Sequence, residues 1–127
     1  LSVEQVLSGP GLLRLYQAVS GTACPDSETW LRHLGARDPA AITTLEVFSS
    51  WLGRVIGNLV LTFGAWGGVY LTGGVIAGMS GMLDMGALRR GFEDKAPFSA
   101  DLRAVPMNRI LHPQPALLGM ARMALAR

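Results

Sequence analysis

The sequence predicts a helix-rich α/β fold with about two parallel strands and six or so helices. Three observations lead there. Most of the chain carries apolar residues at helical spacing, and only Val69–Thr72 and Pro106–Leu111 have strand character. Helical stretches separate those two runs, which calls for parallel pairing through a crossover connection. Two parallel strands do not make a stable sheet by themselves. Their outer edges are therefore expected to meet strands from elsewhere.

Residues 2–8 read as a short helix with Val3, Val6 and Leu7 on one face and Glu4 on the same element. Ser8-Gly9-Pro10-Gly11 reads as a turn. Leu12, Leu13, Leu15, Tyr16 and Val19 then give an apolar helical face that Gly21 ends. After a loop containing Pro25, residues 28–34 form a short helix carrying Trp30, Leu31 and Leu34. Asp38-Pro39 starts the longest helix, because aspartate caps free N–H groups and proline at the first position loses no hydrogen bond. It should run to about Phe63, with a stripe of Leu45, Phe48, Leu52, Val55, Ile56, Leu59 and Phe63. Gly53 and Gly57, four apart, allow close contact with a neighbouring element.

Beyond the first strand, Met79, Met82 and Met85 read as core filler rather than a soft ligand surface. Residues 88–95 form a short amphipathic helix ended by Pro97, and residues 101–105 another helical turn. The second strand leads into the stiff turn His112-Pro113-Gln114-Pro115, where His112 reads as a turn residue rather than a ligand or base. Residues 116–126 close the chain as a helix with Leu117, Leu118, Met120, Met123 and Leu125 expected inward.

Bulk composition narrows the class. The 127 residues suffice for one modest domain, yet 50% are hydrophobic and only 16% charged. That leaves more apolar surface than the polar residues can cover, so a homo-oligomer (a dimer) or packing against an absent N-terminal part is expected. The net charge of +2 is scattered, which argues against nucleic acid as a partner. Cys24 is the only cysteine, so an intrachain disulfide and a zinc site built on paired cysteines are excluded, and no metal site is assigned. A reduced, cytoplasmic setting fits that usage. The chain opens on Leu1, without a basic leader or cleavage pattern, and is expected to be a fragment of a longer protein.

The chain is organised around Gly67-Gly68-Val69-Tyr70-Leu71-Thr72-Gly73-Gly74-Val75-Ile76-Ala77-Gly78. A short buried strand ends in a glycine pair, and a short helix follows. Glycine lets a ligand approach the backbone closely, and the first N–H groups of a helix lack internal partners. That geometry suits a nucleotide, although tight strand–helix packing produces the same pattern.

The chain resembles the C-terminal portion of bacterial glucokinases, within the hexokinase/actin-like ATPase superfamily. The matching blocks run in order: Glu4-Gln5-Val6-Leu7-Ser8-Gly9-Pro10-Gly11-Leu12, Leu52-Gly53-Arg54-Val55-Ile56-Gly57-Asn58-Leu59, residues 67–76, Phe92-Glu93-Asp94-Lys95 and residues 112–119. The resemblance implies the C-terminal part of an actin-like ATPase (ribonuclease H-like) domain. Residues 1–127 would then belong to the large domain, with the final helix, about 115–127, returning towards the small one. It implies that Glu4 accepts hydrogen bonds from sugar hydroxyls and that Gly73, Gly74, Val75 and Ile76 form the adenosine motif. Ser8–Gly11 would shape the cleft floor by Glu4. Glucose and ATP with Mg²⁺ are the implied substrate and cofactors. The catalytic aspartate, the Glu-Gly-Gly-His sugar motif and both phosphate loops of such enzymes lie upstream, so no catalytic residue is assigned here. Ala116 stands where these kinases usually have glycine, and Trp66 and residues 79–85 depart from their common pattern.

Two other readings compete. One is a non-catalytic sugar-binding regulator of the same fold. The other is a membrane segment, because residues 55–83 carry no charge. Against the membrane stand eight glycines and Asn58 in that run, and the strand character of its middle.

Overall fold

The structure, a computed structural model, describes residues 2–79 and 81–126. Its elements are α1 (Val3–Val6), α2 (Gly9–Ser20), α3 (Ser27–Gly35), α4 (Pro39–Phe63), β1 (Val69–Leu71), α5 (Gly74–Gly78), α6 (Met85–Glu93), α7 (Ser99–Ala104), β2 (Met107–Arg109) and α8 (Pro115–Leu125). The α/β class and the strand pair are as the sequence implies. Eight helices appear among the described residues.

Helix α4 is the axis of the molecule. Asp38 caps it, its carboxylate accepting from the Ala40 N–H at 3.1 Å, and Pro39 occupies the first turn. Gly64 ends it in the left-handed conformation, φ 62°, which a side chain would strain. Against one flank pack α2 and α3, burying Tyr16, Trp30 and Phe48. Against the other lies α6. A Cβ on Gly53 would collide with the Leu88 carbonyl, and one on Gly57 would sit 2.7 Å from the Phe92 carbonyl oxygen. Gly91 faces the Ser50 carbonyl in the same way. The glycine spacing read from the sequence is thus a backbone-to-backbone seam between α4 and α6. A second, smaller core joins Val60, Phe92, Leu102 and Val105.

Strands β1 and β2 pair in parallel, with Val69 opposite Met107, Tyr70 opposite Asn108 and Leu71 opposite Arg109. The ladder extends at both ends, through Val69 N–H to Pro106 O at 2.8 Å and Ile110 N–H to Leu71 O at 2.9 Å.

Several expectations need correcting. Residues 9–11 are not a turn but the first residues of α2. The Ser8 hydroxyl accepts from Gly11 N–H at 3.1 Å, and Pro10 sits in the first turn, where its missing N–H has no partner to lose. The first strand is not wholly buried: Leu71 is, but Tyr70 is 66% exposed, because the two-stranded sheet leaves one of its faces uncovered. Of the three methionines Met79 is buried, whereas Met82 and Met85 are exposed. Leu59 and Phe63 at the end of the α4 stripe are exposed as well. The apolar side chains of α8 do not point inward. Leu117, Leu118, Met120, Met123 and Leu125 are all exposed, since none of α8 is buried. Among the described residues no helix is long and apolar enough to cross a membrane.

Candidate nucleotide and sugar site

Strand β1 delivers the chain to Gly73 with φ 118° and ψ 161°, and α5 begins at Gly74. That positive φ is a conformation L side chains rarely adopt. Chain neighbours and the helix's own backbone aside, nothing among the described residues lies within 4 Å of where a Cβ would stand on Gly73 or Gly74. Among the described residues these glycines do not serve tight packing. They differ in this from Gly53 and Gly57.

Two hollows meet at Gly74. The first, about 230 Å³, lies between α2, α3 and α5 and is lined chiefly by apolar groups, among them Leu12, Trp30, Leu31, Val75 and Met79. Trp30 is held there because Asp26 caps α3. The Asp26 carboxylate accepts from Thr29 N–H at 2.7 Å, and that bond keeps its pKa below the ordinary carboxylate value. The Trp30 side chain is fully buried, and its indole N–H has no acceptor among the described residues. The second hollow, about 320 Å³, opens at the C-terminal ends of the two parallel strands. Thr72, Gly73, Gly74, Arg109, His112 and Pro113 line it. Crevices at the carboxyl ends of parallel strands are where ligands bind in open α/β sheets.

A family model described as Glucokinase matches residues 1–127. The chain belongs to the glucokinase family. The glucokinase of Mesorhizobium japonicum is 43% identical over 130 residues, a stretch that takes in 98% of this chain and 38% of that protein. The glucokinase of Sinorhizobium fredii is 40% identical over 129 residues, with 97% and 38% covered. A crystal structure of a glucokinase from an Antarctic psychrotroph superposes with a TM-score of 0.83 at 28% identity, covering all of this chain and 41% of that one. The chain thus spans about two fifths of the length of the glucokinases it matches.

In this glucokinase-family chain the residues expected to serve a ligand fall into two groups. Gly73, Gly74 and Ile76 line the strand-end hollow, and Gly74 and Val75 line the apolar one. Glu4 lines neither. It sits exposed in the first turn of α1, on a helix held by a reciprocal cap in which Ser2 Oγ accepts from Gln5 N–H and Gln5 Oε1 from Ser2 N–H. The Val6 carbonyl at the end of α1 abuts Gly11, so α1 and α2 touch through backbone at the Ser8–Gly11 segment. Trp30 and Arg109 were not singled out by the sequence. Arg109 is the last residue of a strand parallel to β1, and that position was the available signal. Among the described residues no three metal-ligating side chains converge.

Proposed function

We propose that this chain is the C-terminal part of a cytoplasmic, ATP-dependent glucose kinase that phosphorylates the 6-hydroxyl of glucose, the first step of glycolysis. The observation that carries the reading is the open glycine pair between β1 and α5, in a chain of this family, with a hollow on either side of Gly74. The adenosine of ATP would lie against Gly73, Gly74, Val75 and Ile76, where the absence of side chains at the glycines admits it to the backbone. ATP supplies the phosphoryl group and Mg²⁺ neutralises its charge. The residues of this chain bind and orient. Glu4, exposed, accepts hydrogen bonds from sugar hydroxyls and fixes the ring. The base that takes the proton from the sugar hydroxyl, and most of the groups that hold the phosphates and Mg²⁺, would come from an upstream part of the protein. Helix α8 would return towards the small domain at the hinge that closes on substrate, and its uncovered apolar side chains support packing against other chain.

The test is kinetic. In the full-length protein Glu4→Gln should raise the KM for glucose about tenfold or more, as befits loss of a charge-assisted acceptor. The KM for ATP and the melting temperature should stay put, because Glu4 is solvent-exposed. An unchanged glucose KM removes Glu4 from the sugar site. The 127-residue chain alone should form no glucose 6-phosphate.

A further inference from the structure

We propose that Trp66 and Asp101 form a binding site for a guanidinium group, at the amino ends of the two strands and apart from the glycine turn. The site goes beyond the glucose-kinase reading and does not depend on it.

Trp66 stands just past the end of α4, where the backbone fixes it. Ala65 N–H donates to the Val60 carbonyl at 3.0 Å, and Trp66 N–H to the Gly64 carbonyl at 2.9 Å. The indole Nε1 lies 3.8 Å from where a Cβ on Gly64 would stand, so the ring turns back over the end of α4. Trp66 is nonetheless 46% exposed. It borders a hollow of about 280 Å³ whose other lining residues are Asp101, Ala104 and Val105.

Three features of this place favour a positive charge. Asp101 is the one lining residue that carries charge. It is exposed, and every ion pair among the described residues uses another carboxylate: Asp38, Glu46, Glu93 or Asp94. The base beside it in sequence, Arg103, is engaged with Glu93 at 3.3 Å. The second feature is the indole, whose ring face attracts cations. The third is the C-terminal end of α4, a 25-residue helix with no basic side chain in its last turn, where the aligned peptide dipoles leave partial negative charge.

The shape narrows the cation. A guanidinium is planar, so it can stack on an indole while N–H groups at its edge donate to a carboxylate. An ammonium is a point charge and satisfies one of the two at a time. The volume falls just below the ~300–1,000 Å³ usual for small-molecule sites, which suits a guanidinium on a short alkyl stem. Ala104 contributes only a methyl group, and buried Val105 offers that stem an apolar floor.

The location sets this site apart. Trp66 precedes β1 and Val105 precedes β2, whereas Gly73 and Gly74 follow β1. Strands of three residues, at ~3.3 Å per residue, separate the two places by about 10 Å or more. Residues 66, 101, 104 and 105 also lie outside the sequence blocks that carry the glucokinase resemblance.

The experiment is an NMR titration of the full-length protein, nitrogen-15-labelled at its tryptophan indoles, with the Trp66 signal assigned by its loss in Trp66→Leu. N-acetylarginine amide should shift that signal with a Kd on the order of 1 mM, as befits one exposed ion pair and one ring contact. The neutral isostere N-acetylcitrulline amide should leave it in place, and N-acetyllysine amide should bind severalfold more weakly. Asp101→Asn should weaken the arginine probe about fivefold without moving the unliganded Trp66 signal. A merely structural Asp101 would move that signal instead. Ethylguanidinium and an acetyl-Gly-Arg-Gly amide peptide separate the sources of the group. Comparable affinities assign the site to a free guanidine, and a gain of about tenfold for the peptide assigns it to an arginine of a protein partner. The proposal is overturned if the citrulline probe binds as well as the arginine probe, if Asp101→Asn binds undiminished, or if no guanidinium moves the Trp66 signal.

Discussion

The Tyr16 phenol donates to the Asp38 carboxylate at 2.7 Å, and this one bond ties the middle of α2 to the start of α4. The same carboxylate caps α4 through Ala40 N–H, and the His33 ring of α3 stacks on Tyr16 with centroids 5.5 Å apart. Three helices converge on one oxygen pair. The bond also shifts both partners: it holds Asp38 below its usual carboxylate range and pushes the Tyr16 phenol up.

The pH dependence follows from those directions. Asp38 has a depressed pKa in the folded chain, so its contribution to stability is present above its unfolded value and is lost as pH falls through the folded one. Tyr16 has a raised pKa, so its contribution is present below its unfolded value near 10 and is lost as pH rises through the folded one. Tyr16→Phe should lower the melting temperature at neutral pH and flatten both the acid and the alkaline flanks of the stability profile. Melting curves from pH 2 to 11 check this, and a variant with unchanged flanks would show that the bond carries no pH-linked stability.

Glycine substitutions should separate the two uses of glycine. Gly53→Ala drives a methyl into the Leu88 carbonyl and is expected to cost about 1–3 kcal/mol. Gly35→Ala, at the end of α3 with nothing near its Cβ position, should be neutral or stabilising by about 0.4–1 kcal/mol. Urea unfolding midpoints of the two variants give the comparison directly.

Arg89 should prove the most costly cation to remove. Its Nε donates to Glu93 at 2.6 Å, its Nη1 to the Val105 carbonyl at 2.9 Å and its Nη2 to the Arg103 carbonyl at 2.7 Å, while Cζ lies 5.2 Å from the Phe92 ring centroid. Those carbonyls belong to the end of α7 and the run into β2. Arg89→Ala is expected to lose about 1.5–3 kcal/mol, and Arg89→Lys should recover little, because one ammonium cannot span three acceptors in a plane. The contrast is the exposed Arg54–Asp94 pair at 2.9 Å, whose removal should cost under about 1 kcal/mol.

The chain on its own should self-associate. Helix α8 exposes Met123 at 73% and Leu125 at 86%, and Phe63 and Tyr70 add further apolar surface. Light scattering should report dimers or larger species, and Met123→Gln with Leu125→Gln should reduce them. A clean monomer with a high melting temperature would contradict this.

The legibility of the sequence was uneven for physical reasons. Helix α4 could be read nearly to the residue, since Asp38-Pro39 and Gly64 are local signals that act through the chain's own first and last turns. The turn expected at residues 8–11 failed because glycine and proline also suit a capped helix start. The apolar pattern of α8 named a face, but periodicity does not say what that face meets. The neighbourhood of Gly74 was half visible. Its conformation is written in the Gly-Gly pair, whereas Trp30, Arg109 and His112 reach it from distant positions that share no periodic mark. The interest of Glu4 came from resemblance alone, because a solvated glutamate in a first turn is ordinary.

The α4–α6 seam has a mechanical meaning. Where side chains interlock, a helix can slip by rotamer changes, each tooth giving a little. Gly53, Gly57 and Gly91 put main chain against main chain, with no teeth to give. The pair should therefore behave as a single stiff beam over the Ser50–Gly57 stretch of α4. Bending is expected at the connections around the beam, such as the residues 64–68 turn and the Pro113–Pro115 turn, rather than within it. Hydrogen exchange should read this as slow, uniform protection along α4 and α6 that changes little when ligand binds.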